Sequence, residues 1–224
     1  MTTREIETRA GHAPPHRPMT YEAFLEWLDE DVHAEWVDGK VIVYMPATDL
    51  HQLTLGFLQA LLLLYVSRLK LGHVFTAPFP MRLKDIPSQR EPDLMVVVNA
   101  NLARVQRQYL DGPADLVVEI VSNDSVRRDR HEKLREYERA GVTEYWVIDP
   151  RVGRQRADFY RLDEQGGYDL FATEDDERVE TTVLPGFWLR PNWLWQGTTV
   201  DFLQAYLEIR GLTAEQAAQI DELL

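Results

Sequence analysis

The sequence predicts a mixed fold, α/β or α+β, in which a mixed sheet is flanked by helices. Three observations predict it. Two short apolar runs rich in β-branched residues, PDLMVVV (92–98) and DLVVEIV (115–121), have the length and composition of buried strands, and EYWVID (144–149) is a third. A helical pattern over 126–140 separates the second from the third, and a longer one precedes them all. The order is helix, hairpin, long helix, strand cluster, helix, strands, which is not a uniform βαβ alternation.

The elements follow in chain order. Thr20 is a plausible N-cap for a short helix, YEAFLEWLDE, with Phe24, Leu25 and Leu28 on its inner face. EWVDGKVIVYMP reads as a hairpin around Asp38-Gly39, ended by Pro46. The longest helical pattern runs from Leu50 to Lys70, with Leu53, Phe57, Ala60, Leu61, Leu64 and Leu71 at helical spacing and Gly72 closing it. VFTAPFPMRL (74–83) suits an edge or bulged strand, because Pro78 and Pro80 interrupt it, and KDIPSQRE reads as a polar loop. The connection 99–114 is polar with a turn at Gly112-Pro113. SNDS after the second apolar run is a dense capping cluster for the helix over 126–140, which Gly141 stops. A meander over 157–162, 168–173 and 177–184 comes next, then an aromatic segment with Trp188, Trp193 and Trp195 that suits packing or a subunit interface. Two short helices, DFLQAYLEIR and TAEQAAQIDELL, end the chain.

A chain of 224 residues and 26.1 kDa fits one domain. The expected division is a flexible leader over 1–19, the domain over 20–205, and a helical tail over 206–224 that is a candidate homodimer contact. The absence of cysteine excludes disulfides, thiolate zinc sites and a cysteine nucleophile, and is compatible with a cytoplasmic location. The first residues lack an apolar signal core, and LQALLLLYV (58–66) is too short to span a bilayer, so no membrane partner is expected. A net charge of −13 argues against a polyanionic partner, although 127–136 and 151–156 are locally basic.

Two acids stand out. In DLVVEIV, Asp115, Val117, Glu119 and Val121 share one face while Leu116, Val118 and Ile120 share the other. Both faces are apolar, so the strand is central and an ionised Glu119 must be paired with a cation or metal-bound. A salt bridge to an arginine of the next helix would satisfy it equally well. Asp93, after Pro92, is either a turn cap or the partner of Glu119 on a neighbouring strand. Lys133 lies on the helix that follows, where most lysines are simply solvated. Two carboxylates on adjacent strands can hold a hard divalent cation, and a nearby lysine can orient a nucleophile or stabilise developing charge.

The stretch 115–150, with EPDLMVVV upstream, EWVDGKVIVYMP near the start and LPGFWL near the end, resembles the Uma-two family of restriction-endonuclease-like proteins in the PD-(D/E)XK nuclease superfamily. The resemblance spans about residues 20–205. It implies a restriction-endonuclease-like core in which Asp93 and Glu119 coordinate Mg²⁺ or Mn²⁺. The superfamily lysine sits two residues after the glutamate, and here that position is Val121. The expected replacement is Lys133, reaching the same place from the helix; without it the site lacks a component. Glu35 is a candidate extra acid and His51 a candidate proton-transfer group or metal neighbour, while each has a plain surface reading. Arg127, Arg128 and Arg130 are candidate nucleic-acid contacts.

The resulting expectation is a metal-dependent endonuclease-like hydrolase acting on DNA. Its rivals are a nuclease fold retained as an inactive binding or assembly module, and a carboxylate-metal hydrolase of a small phosphorylated substrate.

Overall fold

The computed structural model describes residues 17–28, 34–43, 48–83, 86–196, 200–213 and 216. The leader up to residue 16, the hairpin end at Pro46, and the tail helix apart from Thr213 and Gln216 lie outside the described residues.

Helix α1 (Tyr21–Trp27) is capped by Thr20, whose hydroxyl accepts the Ala23 N–H. Phe24 is its buried residue; Leu25 is exposed, contrary to the expected inner face. Strands β1 (Ala34–Val37) and β2 (Lys40–Val43) form the expected hairpin. Asp38 and Gly39 both have positive φ, 46° and 81°, as a two-residue turn matched to strand twist requires.

Helix α2 (Asp49–Leu69) presents a face that only partly matches the one read from spacing. Leu58, Leu61, Leu62, Tyr65 and Val66 are buried, whereas Leu53 is exposed. Its run is apolar nearly all round, so periodicity alone does not fix the inward stripe. By length and composition α2 is also sufficient to cross a membrane, but it packs along the main apolar core. Its left-handed cap is Lys70, with φ 55°. Gly72 instead opens β3 (Gly72–Thr76), where a Cβ would lie 2.1 Å from the Val97 carbonyl oxygen.

The prolines divide the segment 74–83 between two sheets. β3 is the edge of a six-stranded sheet, and β4 (Met81–Leu83) belongs to a five-stranded one. The expected polar loop contains β5 (Ser88–Arg90), a short and fully buried strand. Strands β6 (Leu94–Val98), β7 (Leu110–Asp111) and β8 (Leu116–Ile120) follow, with a 3₁₀ turn over Asn99–Arg104. The expected uninterrupted helix over 126–140 is wound as a π-helix over Arg128–Lys133 before α3 (Leu134–Ala140), which Gly141 terminates.

β9 (Glu144–Asp149), β10 (Arg156–Leu162) and β11 (Tyr168–Thr173) complete the larger sheet, in the order β11-β10-β9-β8-β6-β3. β8 and β9 are parallel; β6 pairs antiparallel with β8. The smaller sheet runs β2-β1-β5-β4-β7. The third arm of the meander is only β12 (Val179–Glu180), paired with β13 (Trp188–Leu189).

Helix α4 (Phe202–Ile209) buries Ala205 and Ile209 in the core that α2 fills, so the expected boundary at 206 cuts through an element of the domain. The aromatic segment is packing: Trp193 meets Phe57 edge-on at 6.4 Å, and Phe187 meets Tyr65 at 5.1 Å. Thr213 and Gln216 exchange backbone-to-side-chain bonds of 2.9 and 3.3 Å, a reciprocal capping pair.

Two cores flank the larger sheet. Leu94, Val96, Leu116, Val118 and Ile120 face α2 on one side. Met95, Val97, Val117, Val121 and Tyr137 lie on the other, which the smaller sheet and α3 cover.

Candidate active site

The second of these faces carries the site. In the β6–β8 register Leu94 pairs with Val118 and Met95 with Val117. One step further along this ladder Asp93 falls opposite Glu119. Both residues therefore point to the same side, and directly opposed Cβ atoms in an antiparallel pair are about 4.5–5.5 Å apart. Asp93 Oδ2 accepts the Ile120 N–H at 2.7 Å, which fastens the carboxylate to the neighbouring strand. The same oxygen lies 3.2 Å from His51 Nε2, from the first turn of α2.

Lys133 does not reach solvent. Its Nζ sits 2.8 Å from Glu119 Oε1, 3.4 Å from Glu35 Oε1 and 3.6 Å from Asp129 Oδ1. The Tyr137 hydroxyl donates to the same Glu119 oxygen at 2.9 Å. The π-winding brings Asp129 and Lys133 inward together, and Tyr145 secures that turn by donating to the Asp129 carbonyl at 2.9 Å. The cation paired with Glu119 is thus a lysine from the following helix, not the arginine that the alternative reading supposed.

Glu35, which a plain reading would leave on the surface, is fully buried in β1. Its Oε2 accepts from Arg90 at 2.7 Å and its Oε1 from the Glu91 N–H at 3.0 Å. Arg90 also makes a two-pronged contact with Glu136 of α3, at 2.8 and 2.6 Å. Burial alone would lower the Arg90 pKa, but Glu35 and Glu136 outweigh it and hold the guanidinium charged. This chain of ion pairs ties the smaller sheet to α3.

The electrostatics record an excess of negative charge. Burial, with repulsion from Asp93, Asp129 and Glu35, raises the Glu119 pKa to about 8 despite the opposing Lys133. Burial and the neighbouring Glu35 raise Glu91 to about 7. Asp129 is shifted upward as well, chiefly by burial, and is 1% exposed with Oδ1 lacking a hydrogen bond. The Asp93 side chain is 21% exposed while those of Glu119 and Lys133 are nearly sealed, so the site opens at Asp93.

Among the described residues no trio of His, Asp or Glu side chains is disposed to hold an ion. Asp93 and Glu119 are two hard oxygen donors on one face, and burial with the nearby acids raises the Glu119 pKa, which a bound cation would offset. That fits Mg²⁺ or Mn²⁺, because Mg²⁺ is commonly held by one or two carboxylates with water and substrate oxygens completing its shell.

Of the three arginines expected at a nucleic-acid rim, Arg127 is well exposed and pairs with Glu132 at 3.6 Å. Arg128 is half-buried. Arg130 is a correction: its guanidinium is mostly buried and committed to Asp158 of β10.

The family model described as "Uma2: Putative restriction endonuclease" matches residues 21–192. The chain belongs to the Uma2 family. A crystal structure described as "a putative nuclease belonging to DUF820", from Anabaena variabilis, superposes on this Uma2 protein with a TM-score of 0.66. The match is at 19% identity, over 80% of this chain and 98% of that one. At that identity the likeness establishes the fold. No curated protein matches the chain.

Sequence reasoning missed Arg90, Glu91, Asp129, Glu136 and Tyr137. Asp129 carried a usable signal, since it lies four residues before Lys133 and pairs with it along the helix. Arg90 carried none, because the segment that buries it reads as a polar loop.

Proposed function

We propose that this Uma2 protein is a divalent-metal-dependent endonuclease-like hydrolase of phosphodiester bonds, with DNA as its substrate. The observation that carries the reading is the cross-strand opposition of Asp93 and Glu119 beside the buried ammonium of Lys133. Mg²⁺ or Mn²⁺ held by these two carboxylates would polarise a phosphate oxygen and make a bound water easier to deprotonate. Lys133 contributes a fixed positive charge in a water-poor site, where it counts most against charge developing on phosphoryl oxygens. With its proton on Nε2, His51 donates to Asp93 Oδ2 and orients that carboxylate. Glu35 acts through others: it anchors Arg90 and steadies Lys133. Arg127 is the best placed of the three rim arginines to meet a phosphate.

Net charge favours the rival reading, an inactive module, and the retained carboxylate pair favours catalysis. Plasmid nicking decides between them. The wild type should cut with Mn²⁺ or Mg²⁺ and stop with chelator, and Asp93→Asn should not cut. A wild type that neither cuts nor binds Mn²⁺ by titration calorimetry overturns the proposal.

A further inference from the structure

Lys133 poses a difficulty for its own site. The Glu119 oxygen it contacts at 2.8 Å belongs to the carboxylate that a divalent cation would need. Losing its shortest ion-pair contact in so buried a place would be costly for the ammonium. Glu35 Oε1 stands 3.4 Å from Nζ and remains a neighbour, but that oxygen already accepts the Glu91 N–H and the other serves Arg90. Asp129 differs. It is buried, its Oδ1 has no hydrogen bond, and that oxygen lies 3.6 Å from Lys133 Nζ, just beyond bonding distance. The Ser125 hydroxyl hydrogen-bonds the carboxylate, and the Asp129 N–H is fixed to the Ser125 carbonyl at 2.8 Å.

Resting on the metal-site reading above, we propose that Asp129 is a second seat for the Lys133 ammonium. When Glu119 turns its oxygen to a divalent cation, the ammonium passes to Asp129 Oδ1 and stays in the site. Asp129 is thereby a positioning residue, and the π-turn serves to bring both ends of this exchange inward on one helix. The movement required is less than 1 Å of approach between Nζ and Oδ1, from 3.6 Å to the roughly 2.8 Å of a charge-assisted bond.

Ammonium ¹H–¹⁵N spectroscopy on the full chain tests this. A buried, ion-paired lysine exchanges its protons slowly enough to be seen, and loss of one cross-peak in Lys133→Arg assigns it. In the wild type, Mg²⁺ should shift this peak and leave it sharp. In Asp129→Asn the peak should be present without Mg²⁺ and vanish when Mg²⁺ is added. Should Asp129→Asn fail to fold, Ser125→Ala, which loosens Asp129 from outside the cluster, should show Mg²⁺-induced broadening. A peak that survives Mg²⁺ in these variants as it does in the wild type overturns the second seat alone. So does a peak already missing from folded Asp129→Asn before Mg²⁺. A wild-type peak that ignores Mg²⁺ overturns the metal-site reading together with the seat exchange.

Discussion

The two faces of β8 share one backbone and bury opposite chemistries. On one side Leu116, Val118 and Ile120 join Trp146, Ile148 and Phe159 under α2, in a core held by apolar packing. On the other, Glu119 stands between Val117 and Val121 and meets Lys133, with Glu35, Asp129 and Arg90 close behind. The first face gains stability from area removed from water, without direction. The second carries desolvated charges that are tolerable only while each keeps its partner. One strand can therefore anchor the fold and carry the charged cluster at once, because its side chains alternate and the faces are shielded from each other by the sheet. The faces should then fail separately.

Activity gives the largest effect. Glu119→Gln or Asp93→Asn should reduce Mn²⁺-dependent DNA cleavage by about a thousandfold or more, equivalent to roughly 4 kcal/mol of lost transition-state stabilisation. Calorimetric Mn²⁺ affinity should fall with it. Retained cleavage in both variants would remove these acids from the mechanism.

The apolar face should respond in stability. Trp146 is fully buried and meets Phe159 edge-on at 5.3 Å. Trp146→Ala should cost about 3–5 kcal/mol in urea unfolding. Mn²⁺ affinity of the folded fraction should be unchanged. A variant that loses metal affinity in proportion to stability would show that the faces are coupled.

The polar face should also make stability depend on pH. The folded Glu119 pKa of about 8 exceeds the ordinary 4.5, so between these values the native state binds more protons than the unfolded chain. This contribution is fully present below about pH 4.5 and is lost as pH rises through 8. The slope is at most about 1.4 kcal/mol per pH unit for one proton. Glu91 and Asp129, also shifted upward, act in the same direction. Urea midpoints of the metal-free protein should therefore decline between pH 5 and 8, and less steeply in Glu119→Gln. A midpoint that rises over that interval contradicts the charge excess.

How much of this was legible in the sequence follows the same division. Period-two alternation placed Glu119 on the correct face of a central strand, and Asp38-Gly39 and Gly141 marked a turn and a helix end by their backbone freedom. The inward side of α2 was only partly legible: Phe57 and Leu61 are buried as read, but Leu63 and Leu53 are as apolar as the buried Leu62 and Leu58. Glu35 and Arg90 look like surface charges until a strand and a helix from distant parts of the chain close over them. The π-winding that turns Asp129 inward follows from tertiary fit, and SVRRDRHEKLRE carries the periodicity of an ordinary helix.

The smallest effect separates two arginines three residues apart. Arg127 is exposed, and its pairing with Glu132 at 3.6 Å is of the kind that adds little to stability. Arg127→Ala should leave unfolding within about 0.5 kcal/mol of the wild type. If Arg127 meets a phosphate, the dependence of log affinity for DNA on log salt should become shallower by about one. Arg130 is tied to buried Asp158, which Arg156 also holds at 3.0 Å. Arg130→Ala should accordingly destabilise by about 1–3 kcal/mol, because a buried acceptor loses one of its two donors. Its salt dependence of DNA binding should match the wild type. Filter binding across a salt series, paired with urea unfolding, reads both quantities in each variant. If Arg130→Ala changes the salt slope and Arg127→Ala does not, Arg130 and not Arg127 is the residue that meets the DNA backbone.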